Sequence, residues 1–167
     1  MGFILINLFS IPLHLVRRYM KKILGYRKLL GVNENAELQE LKLVYRALIK
    51  SWHPDKFQDS DEQKVEAELK SKRIIEAYHF LVSIAPETLA QNLPEYNNTL
   101  ATSGIADFEY KGETLQISFV DGSCYEYFGV PKATYVKLVN APAQARFVRR
   151  HICNSFAYRS VSKMETA

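Results

Sequence analysis

A short polar run, His53-Pro54-Asp55-Lys56, carries residue types suited to recognising a charged group on another molecule. The Asp55 carboxylate can accept a charge-assisted, bidentate hydrogen bond from an arginine. Pro54 fixes its own backbone φ and stiffens the run, and His53 can form a hydrogen bond that orients it. The run lies within a polar segment, residues 53–61, so we expect an exposed loop. We call residues 53–56 the 53–56 loop.

Three basic residues lie one helical turn apart on the predicted helix that precedes this loop: Lys42, Arg46 and Lys50. Residues four apart share one face of a helix, so the three form a cationic stripe. Apolar residues recur at helical spacing on another face of the same segment: Leu41, Val44, Tyr45, Leu48, Ile49 and Trp52. A solvated helix face is the plain interpretation of the stripe taken alone, and docking on an acidic surface is the alternative.

A second helix is predicted after the loop, ending at Pro86. The residues predicted for its buried face are Leu69, Ile74, Ile75, Tyr78, Leu81 and Val82. Gly31, Asn33 and Asn35 mark a break before the first helix. Residues 26–85 are therefore predicted to form an antiparallel helix pair joined by the exposed loop.

This middle region resembles the J-domain of DnaJ-type co-chaperones. The resemblance rests on residues 26–32, 44–46, 52–56 and 74–78 with Leu81, which follow the family's order and spacing. It implies that the protein binds a DnaK-type chaperone and stimulates its ATP hydrolysis, without catalysis or a cofactor of its own. The basic second helix would dock on an acidic face of the ATPase, and the Asp55 carboxylate would pair with a partner arginine. The implied chaperone-binding residues are Lys42, Arg46, Lys50, His53, Pro54, Asp55 and Lys56.

The chain departs from many J-domains at two positions. Ala47 follows Arg46 where many members have adjacent bases, and Ser71 stands where many have a phenylalanine. Nothing in the chain resembles the Gly/Phe-rich segment or the Cys-rich zinc repeats of full-length DnaJ. We therefore expect the parts that flank residues 26–85 to set the location or the client protein.

The N-terminal segment, residues 1–25, combines an apolar run with a cationic end. Residues 3–16 are apolar except for Asn7, Ser10 and His14. Four basic residues and no acidic residue follow: Arg17, Arg18, Lys21 and Lys22. The run is shorter than the roughly 18 residues that a spanning helix needs. We predict an amphipathic helix with three alternative placements: residues 1–22 on an anionic membrane surface, packing on its own domain, or a short tilted span. The first alternative predicts a cytoplasmic protein held peripherally on the cytoplasmic face of the membrane.

Residues 86–102 are predicted to be a linker with one helical turn around 88–93. The residues after it, 103–163, alternate with a period of two and carry a hairpin signal at Asp121-Gly122. Pro131 and Pro142 each suit the first turn of a helix. The predicted fold class of the chain is α + (α+β): an N-terminal amphipathic helix, a helical hairpin, and a small antiparallel sheet covered by two helices.

Residues 106–161 resemble the KTSC domain, a short module of bacterial proteins also found at the end of some lysyl-tRNA synthetases. The carrying residues are Tyr110, 115–119, Gly122, 125–131, 140–142 and His151-Ile152. An RNA-binding role is suggested for that family. A platform of strand tyrosines beside bases suits single-stranded RNA, and tyrosines packed under the helices beside solvated bases are the alternative. The candidate nucleic-acid-binding residues are Tyr125, Tyr127, Lys132, Arg146, Arg149 and Arg150.

The composition bounds the remaining possibilities. The chain is 47% hydrophobic and 24% charged, which excludes a disordered or low-complexity protein. Its net charge of +4 is concentrated at its two ends, which suits anionic partners. Cys124 and Cys153 are too few for a disulfide scaffold and show no metal-ligand spacing, so we expect reduced thiols, no metal site and a cytosolic protein. No nucleophile motif or phosphate-binding loop points to an enzyme.

Overall fold

A computed structural model describes residues 13–57 and 60–161, with side chains described from Tyr19 onward. The predictions for Asn7, Ser10 and the first part of the amphipathic helix lie outside these residues. The chain divides into two compact units. One contains residues 21–89, and the other contains residues up to 20 together with residues from 90 onward.

The first unit is helical. Helix α1 spans Leu13–Leu30 and belongs to this unit from Lys21 onward, α2 spans Leu38–Ser51, a single 3₁₀ turn spans Pro54–Lys56, and α3 spans Asp61–Ile84. Gly31 ends α1 in the left-handed region, with φ 71°. The Gly31 N–H donates to Lys28 and the Val32 N–H donates to Arg27, which is the Schellman pattern that satisfies terminal carbonyls.

The apolar face predicted for α2 is confirmed: Leu41 is buried, and Val44, Tyr45, Leu48, Ile49 and Trp52 are half-buried. The ring of Tyr45 stacks on that of Tyr78 in α3, with centroids 4.1 Å apart. Helix α3 differs from the prediction, because Leu69 and Ile75 are 59% and 39% exposed. The buried residues of α3 are Ala67, Ser71, Ile74, Ala77, Phe80 and Leu81.

Small side chains explain the difference in α3. Three of the six buried residues of α3 are small, namely Ala67, Ser71 and Ala77, whereas the predicted buried face consists of large apolar residues. Small residues let two helix backbones approach closely, so the interface fills with fewer large side chains. Phe80 packs edge-to-face against Tyr26 of α1, with ring centroids 5.2 Å apart. The hydroxyl of Tyr26 also donates to the Glu76 carboxylate.

Most of the second unit is a sheet with helices. Helix α4 spans Pro86–Thr102, and the strands span Ile105–Lys111 (β1), Thr114–Phe119 (β2), Cys124–Phe128 (β3) and Ala157–Ser160 (β4). Helices α5, Lys132–Val139, and α6, Gln144–His151, lie in the chain between β3 and β4. The sheet is antiparallel throughout, in the order β1-β2-β3-β4. The mixed fold class predicted from the sequence is confirmed.

Helix α4 replaces the predicted linker. Pro94, Asn97 and Asn98 gave the segment the composition of a loop, yet all three side chains are exposed. The opposite face buries Tyr96 and Thr99 in the second unit. A helix needs only one apolar face to pack, so the polar residues on the other face do not prevent it.

The predicted antiparallel sheet is confirmed, and it has four strands. Leu115, Ile117 and Phe119 are buried along β2, as the period of two predicts. The β1–β2 turn falls at Gly112 and Glu113, both with positive φ. Strand β4 has four residues, too few to give a recognisable alternation in the sequence.

The N-terminal end of α1 bears on the alternatives for residues 1–25. The ring of Tyr19 stacks on that of Phe128, with centroids 4.5 Å apart and planes 20° apart. This contact favours packing on the protein at the described end of the segment. Among the helices in the described part of the chain, none combines the length and apolar character needed to cross a membrane.

Candidate functional site

The 53–56 loop is held by its own backbone and by the His53 side chain. The Asp55 N–H donates to His53 Nδ1 at 3.3 Å, so His53 caps the 3₁₀ turn. This acceptor role requires the ring proton to be on Nε2. The Lys56 N–H donates to the His53 carbonyl and the Phe57 N–H donates to the Pro54 carbonyl, both at 3.0 Å. The loop is therefore a defined turn.

Pro54 fits the start of the turn, and the side chains of His53 and Asp55 are exposed to solvent. Pro54 is the first residue of the turn, a position where its fixed φ fits and its missing N–H costs nothing. The Asp55 side chain is 78% exposed and that of His53 is 52% exposed. One Asp55 carboxylate oxygen lies 3.4 Å from His53 Nδ1. The turn thus presents a carboxylate to solvent at a fixed place in the fold.

The cationic stripe lies on the exposed face of α2, where Lys42, Arg46 and Lys50 are all exposed. Successive members are one helical turn apart, about 6 Å along the axis. Lys50 lies in the last turn of α2, and Lys56 is exposed within the loop. The fold therefore brings all seven residues implied for chaperone binding onto one continuous helix–loop segment of the first unit.

Trp52 connects the stripe to the loop. Its N–H donates to the Leu48 carbonyl at 2.9 Å, which completes the last turn of α2. Its own carbonyl accepts a hydrogen bond from the Ser71 hydroxyl at 2.6 Å. The Lys70 ammonium lies 3.5 Å from the centroid of its indole ring, and the Phe57 ring stacks on it at 6.0 Å. The sequence pattern places Trp52 on the apolar face of α2. It does not indicate the contacts of Trp52 with Phe57 and Lys70 or its hydrogen bond from Ser71, because no local spacing signals them.

The candidate residues of the second unit divide into three groups. Tyr125 and Tyr127 are 3% and 0% exposed, so the alternative of packed tyrosines is confirmed and the stacking platform is wrong. Lys132, Arg146 and Arg150 are exposed on α5 and α6, and we call these three the α5–α6 patch. Arg149 donates from Nη1 to the Leu100 carbonyl at 2.8 Å and so ties α6 to α4.

The two tyrosines are buried because residues of α4, α5 and α6 pack over their face of the sheet, and because β4 pairs with β3 along its edge. The Tyr127 hydroxyl lies 3.2 Å from that of Tyr96 and 3.6 Å from the Cys153 sulfur. Burial raises the pKa of Tyr96, Tyr127 and the Cys153 thiol above their ordinary values. A buried thiol with a raised pKa is a poor nucleophile, which assigns Cys153 to the core.

Two depressions lie beside the α5–α6 patch. One, of about 450 Å³, is lined by Lys137, Phe147 and His151 among others. The second, of about 200 Å³, shares Phe147 and His151 and adds Arg146 and Arg150. The rings of Phe147 and His151 are 4.6 Å apart. An aromatic pair between cations can contact an anionic ring-bearing ligand.

Comparison with known families divides the chain in the same order. The DnaJ domain model matches residues 26–86, and the KTSC domain model matches residues 102–156. Helix α4 up to Ala101 and strand β4 therefore lie outside the range of the KTSC match.

Individual DnaJ relatives match the region of the DnaJ domain. The chaperone protein DnaJ of Thermoplasma volcanium is 48% identical over 56 residues, and that of Thermosipho africanus is 45% identical over 56 residues. Each match covers 34% of this chain and 14% of the relative. DnaJ homolog subfamily B member 6 of Bos taurus is 42% identical over 59 residues, which are 35% of this chain and 23% of the relative. The α2–loop–α3 geometry and these matches agree: the chain carries a DnaJ domain over residues 26–86, followed by a KTSC domain over residues 102–156.

Proposed function

We propose that this protein is a co-chaperone that binds a DnaK-type ATPase through the cationic stripe and the 53–56 loop, and stimulates its ATP hydrolysis. The observation that carries the proposal is the exposed Asp55 carboxylate, held in a capped turn directly after the stripe. The matched relatives carry the names of DnaJ chaperone proteins, which supports the co-chaperone class.

The two parts have different physical roles. Exposed charges on the stripe attract an acidic surface over a Debye length of about 8 Å at physiological salt, which raises the rate of encounter. The Asp55 carboxylate then accepts hydrogen bonds from an arginine of the ATPase. The turn fixes the distance between this carboxylate and the stripe on α2. Binding through the stripe positions the carboxylate, and the carboxylate acts on the ATPase.

Single-turnover ATP hydrolysis by a bacterial DnaK-type chaperone tests this proposal. We expect the wild-type protein to accelerate hydrolysis and to reach saturation as its concentration rises. His53→Gln and Asp55→Asn should abolish most of the acceleration, because they alter the turn cap and the carboxylate. Equal acceleration by these variants, or none by the wild type with any DnaK-type partner, would reject the proposal.

For the second unit, we propose that it selects the location or the client protein in the cytoplasm. Both cysteines are free and buried, which suits a reducing compartment. Attachment of residues 1–22 to an anionic membrane is the alternative for the N-terminal segment. Fractionation after a carbonate wash tests it, and complete recovery in the soluble fraction would count against attachment.

A second candidate function is binding of single-stranded RNA by the second unit. The observation that favours it is the α5–α6 patch beside two depressions that share Phe147 and His151. The stacking partner would be this ring pair, since Tyr125 and Tyr127 are buried. An electrophoretic shift with single-stranded RNA, titrated with salt, tests the candidate. Absence of a shift at low salt rejects it.

A further inference from the structure

The 53–56 loop is closed at its base by two aromatic residues. Trp52 precedes the loop and Phe57 follows it, and their rings stack with centroids 6.0 Å apart and planes 20° apart. The two ends of the loop are therefore held together by side chains as well as by the backbone hydrogen bonds of the turn. Any movement of Trp52 changes the direction in which His53 leaves α2.

Two adjacent residues of α3 hold Trp52 at different atoms. Ser71 is buried and donates its hydroxyl hydrogen to the Trp52 carbonyl at 2.6 Å. Lys70 is half-buried and places its ammonium 3.5 Å from the centroid of the indole ring. A hydrogen bond fixes the backbone and a cation–π contact fixes the ring, so both the position and the rotamer of Trp52 are restrained.

The position of Trp52 in α2 makes this restraint effective. Trp52 is the C-cap residue of α2, so its carbonyl is one of the terminal groups that lack a partner within the helix. A cation near a helix C-terminus is also favoured by the helix dipole. Ser71 thus donates a hydrogen bond to a terminal carbonyl of α2, and Lys70 places a positive charge near the helix C-terminus, at the point where the loop begins.

We infer that Lys70 and Ser71 are positioning residues for the 53–56 loop: they hold Trp52, and through it they set the orientation in which Asp55 is presented. The functional part of this inference rests on the proposed co-chaperone function. A phenylalanine at position 71, which many J-domains have, cannot donate this hydrogen bond. Ser71 therefore gives this chain its own means of fixing the loop.

Loosening the loop should affect the triggering step more than the encounter. The cationic stripe is untouched by changes at Lys70 and Ser71, so the concentration for half-maximal stimulation should change little. If Asp55 occupies its productive orientation for a smaller fraction of the time, the maximal acceleration falls by that fraction. The loss of one hydrogen bond corresponds to a fall of about two- to tenfold.

The test combines two measurements on the full chain. The first is acrylamide quenching of the fluorescence of Trp52, the single tryptophan in the sequence, without a chaperone. The second is single-turnover ATP hydrolysis by a DnaK-type chaperone, titrated with each variant. The variants are Ser71→Ala and Lys70→Met, with Ser71→Thr and Lys70→Arg as conservative replacements that keep the donor and the cation.

Two matched controls separate positioning from a general loss of stability. Ser83→Ala removes a hydroxyl that also donates to a backbone carbonyl in α3, that of Phe80 at 2.7 Å, away from the loop. Lys64→Met removes an exposed charge from the same helix. Thermal unfolding of every variant is recorded, so that activity is compared only at temperatures where the protein is folded.

We expect Ser71→Ala and Lys70→Met to increase the quenching of Trp52 and to lower the maximal acceleration, while the conservative replacements and both controls resemble the wild type. Unchanged quenching, or full maximal acceleration by both variants, would overturn the inference. If the wild type itself gives no acceleration, the proposed function fails. In that case the quenching comparison still decides whether α3 holds the loop.

Discussion

Tyr96 of α4 lies face to face with Tyr158 of β4, with ring centroids 4.0 Å apart and planes 11° apart. Both residues lie outside the range 102–156 that matches the KTSC domain. Both pack against Tyr127. The Tyr127 hydroxyl lies 3.2 Å from that of Tyr96, and the Tyr127 ring centroid lies 6.1 Å from that of Tyr158. The core of the second unit is therefore completed by residues before and after the family's range.

Replacing Tyr96 tests this completion of the core. Tyr96→Phe removes one hydroxyl from a buried pair and should lower the free energy of unfolding by about 1 kcal/mol. Tyr96→Ala also leaves a cavity and should cost about 3 kcal/mol or more. Amide hydrogen exchange across β2 and β3 measures both effects. Exchange rates in the Tyr96→Ala protein equal to those of the wild type would show that α4 contributes nothing to the core.

The buried tyrosines make the second unit sensitive to alkaline pH. Burial raises the pKa of Tyr158 to about 12, and it raises the pKa of Tyr96 and Tyr127 further. An unfolded tyrosine ionises near pH 10, so above that pH the unfolded chain binds fewer protons than the folded one. Stability is therefore fully present below pH 10 and is lost as the pH rises through 10 towards 12.

The size of the alkaline effect can be measured directly. Each of the buried residues Tyr96 and Tyr127 contributes a loss of up to about 1.4 kcal/mol per pH unit above pH 10. Urea unfolding followed by near-ultraviolet circular dichroism between pH 8 and about 12 measures the slope. Tyr158→Phe should make the slope shallower. A free energy of unfolding that stays constant to pH 12 would contradict the account.

The cationic stripe should control encounter with the ATPase. Replacing Lys42, Arg46 and Lys50 together by glutamine should raise the concentration for half-maximal stimulation by about tenfold or more, because steering by three charges is lost. The maximal rate at saturation should be retained, and the dependence on salt should weaken. Titration of single-turnover hydrolysis at two salt concentrations measures all three quantities.

The α5–α6 patch supplies a matched control for that experiment. Glutamine at Lys132, Arg146 and Arg150 removes the same charge from exposed positions of the second unit. This triple variant should stimulate hydrolysis as the wild type does and should lose any RNA shift. If the two triple variants weaken stimulation equally, net charge rather than the stripe governs encounter.

The cap formed by His53 predicts a difference between two substitutions. The Oδ1 atom of asparagine can take the place of Nδ1 as acceptor for the Asp55 N–H, as asparagine commonly does at a helix N-cap. Glutamine is longer and is a poorer cap. His53→Asn should therefore retain more stimulation than His53→Gln, and single-turnover hydrolysis compares them. Equal and complete loss in both variants would mean that Nε2 makes the essential contact.

Much of the first unit could be predicted from the sequence because its signals are local. The stripe at Lys42, Arg46 and Lys50 follows from helical spacing, and Pro54 marks the end of α2. The hydrogen bond from Ser71 to Trp52 joins residues far apart in sequence, so no local pattern reveals it. Hydrophobicity predicts a core position for Leu69, whereas its side chain is 59% exposed and the helix–helix interface uses smaller residues.

The second unit shows where local patterns are insufficient. Alternation predicted that Tyr125 and Tyr127 share a face of β3, and it could not decide whether that face is covered. Two of the elements that bury this face gave no clear signal in the sequence. Helix α4, which packs on it, is disguised by the polar residues Asn97 and Asn98, and β4, which pairs with β3, has only four residues. Burial of the two tyrosines follows from these elements and moves the candidate RNA site to α5 and α6.

The most direct test of the account is a full titration of single-turnover ATP hydrolysis by a DnaK-type chaperone, with wild type and Asp55→Asn measured side by side. Asp55→Asn keeps the stripe and the shape of the turn but loses the carboxylate charge. We predict that the wild type accelerates hydrolysis and that Asp55→Asn competes with it for the chaperone while giving little acceleration. Acceleration by Asp55→Asn equal to that of the wild type, or none by the wild type, would contradict the central claim.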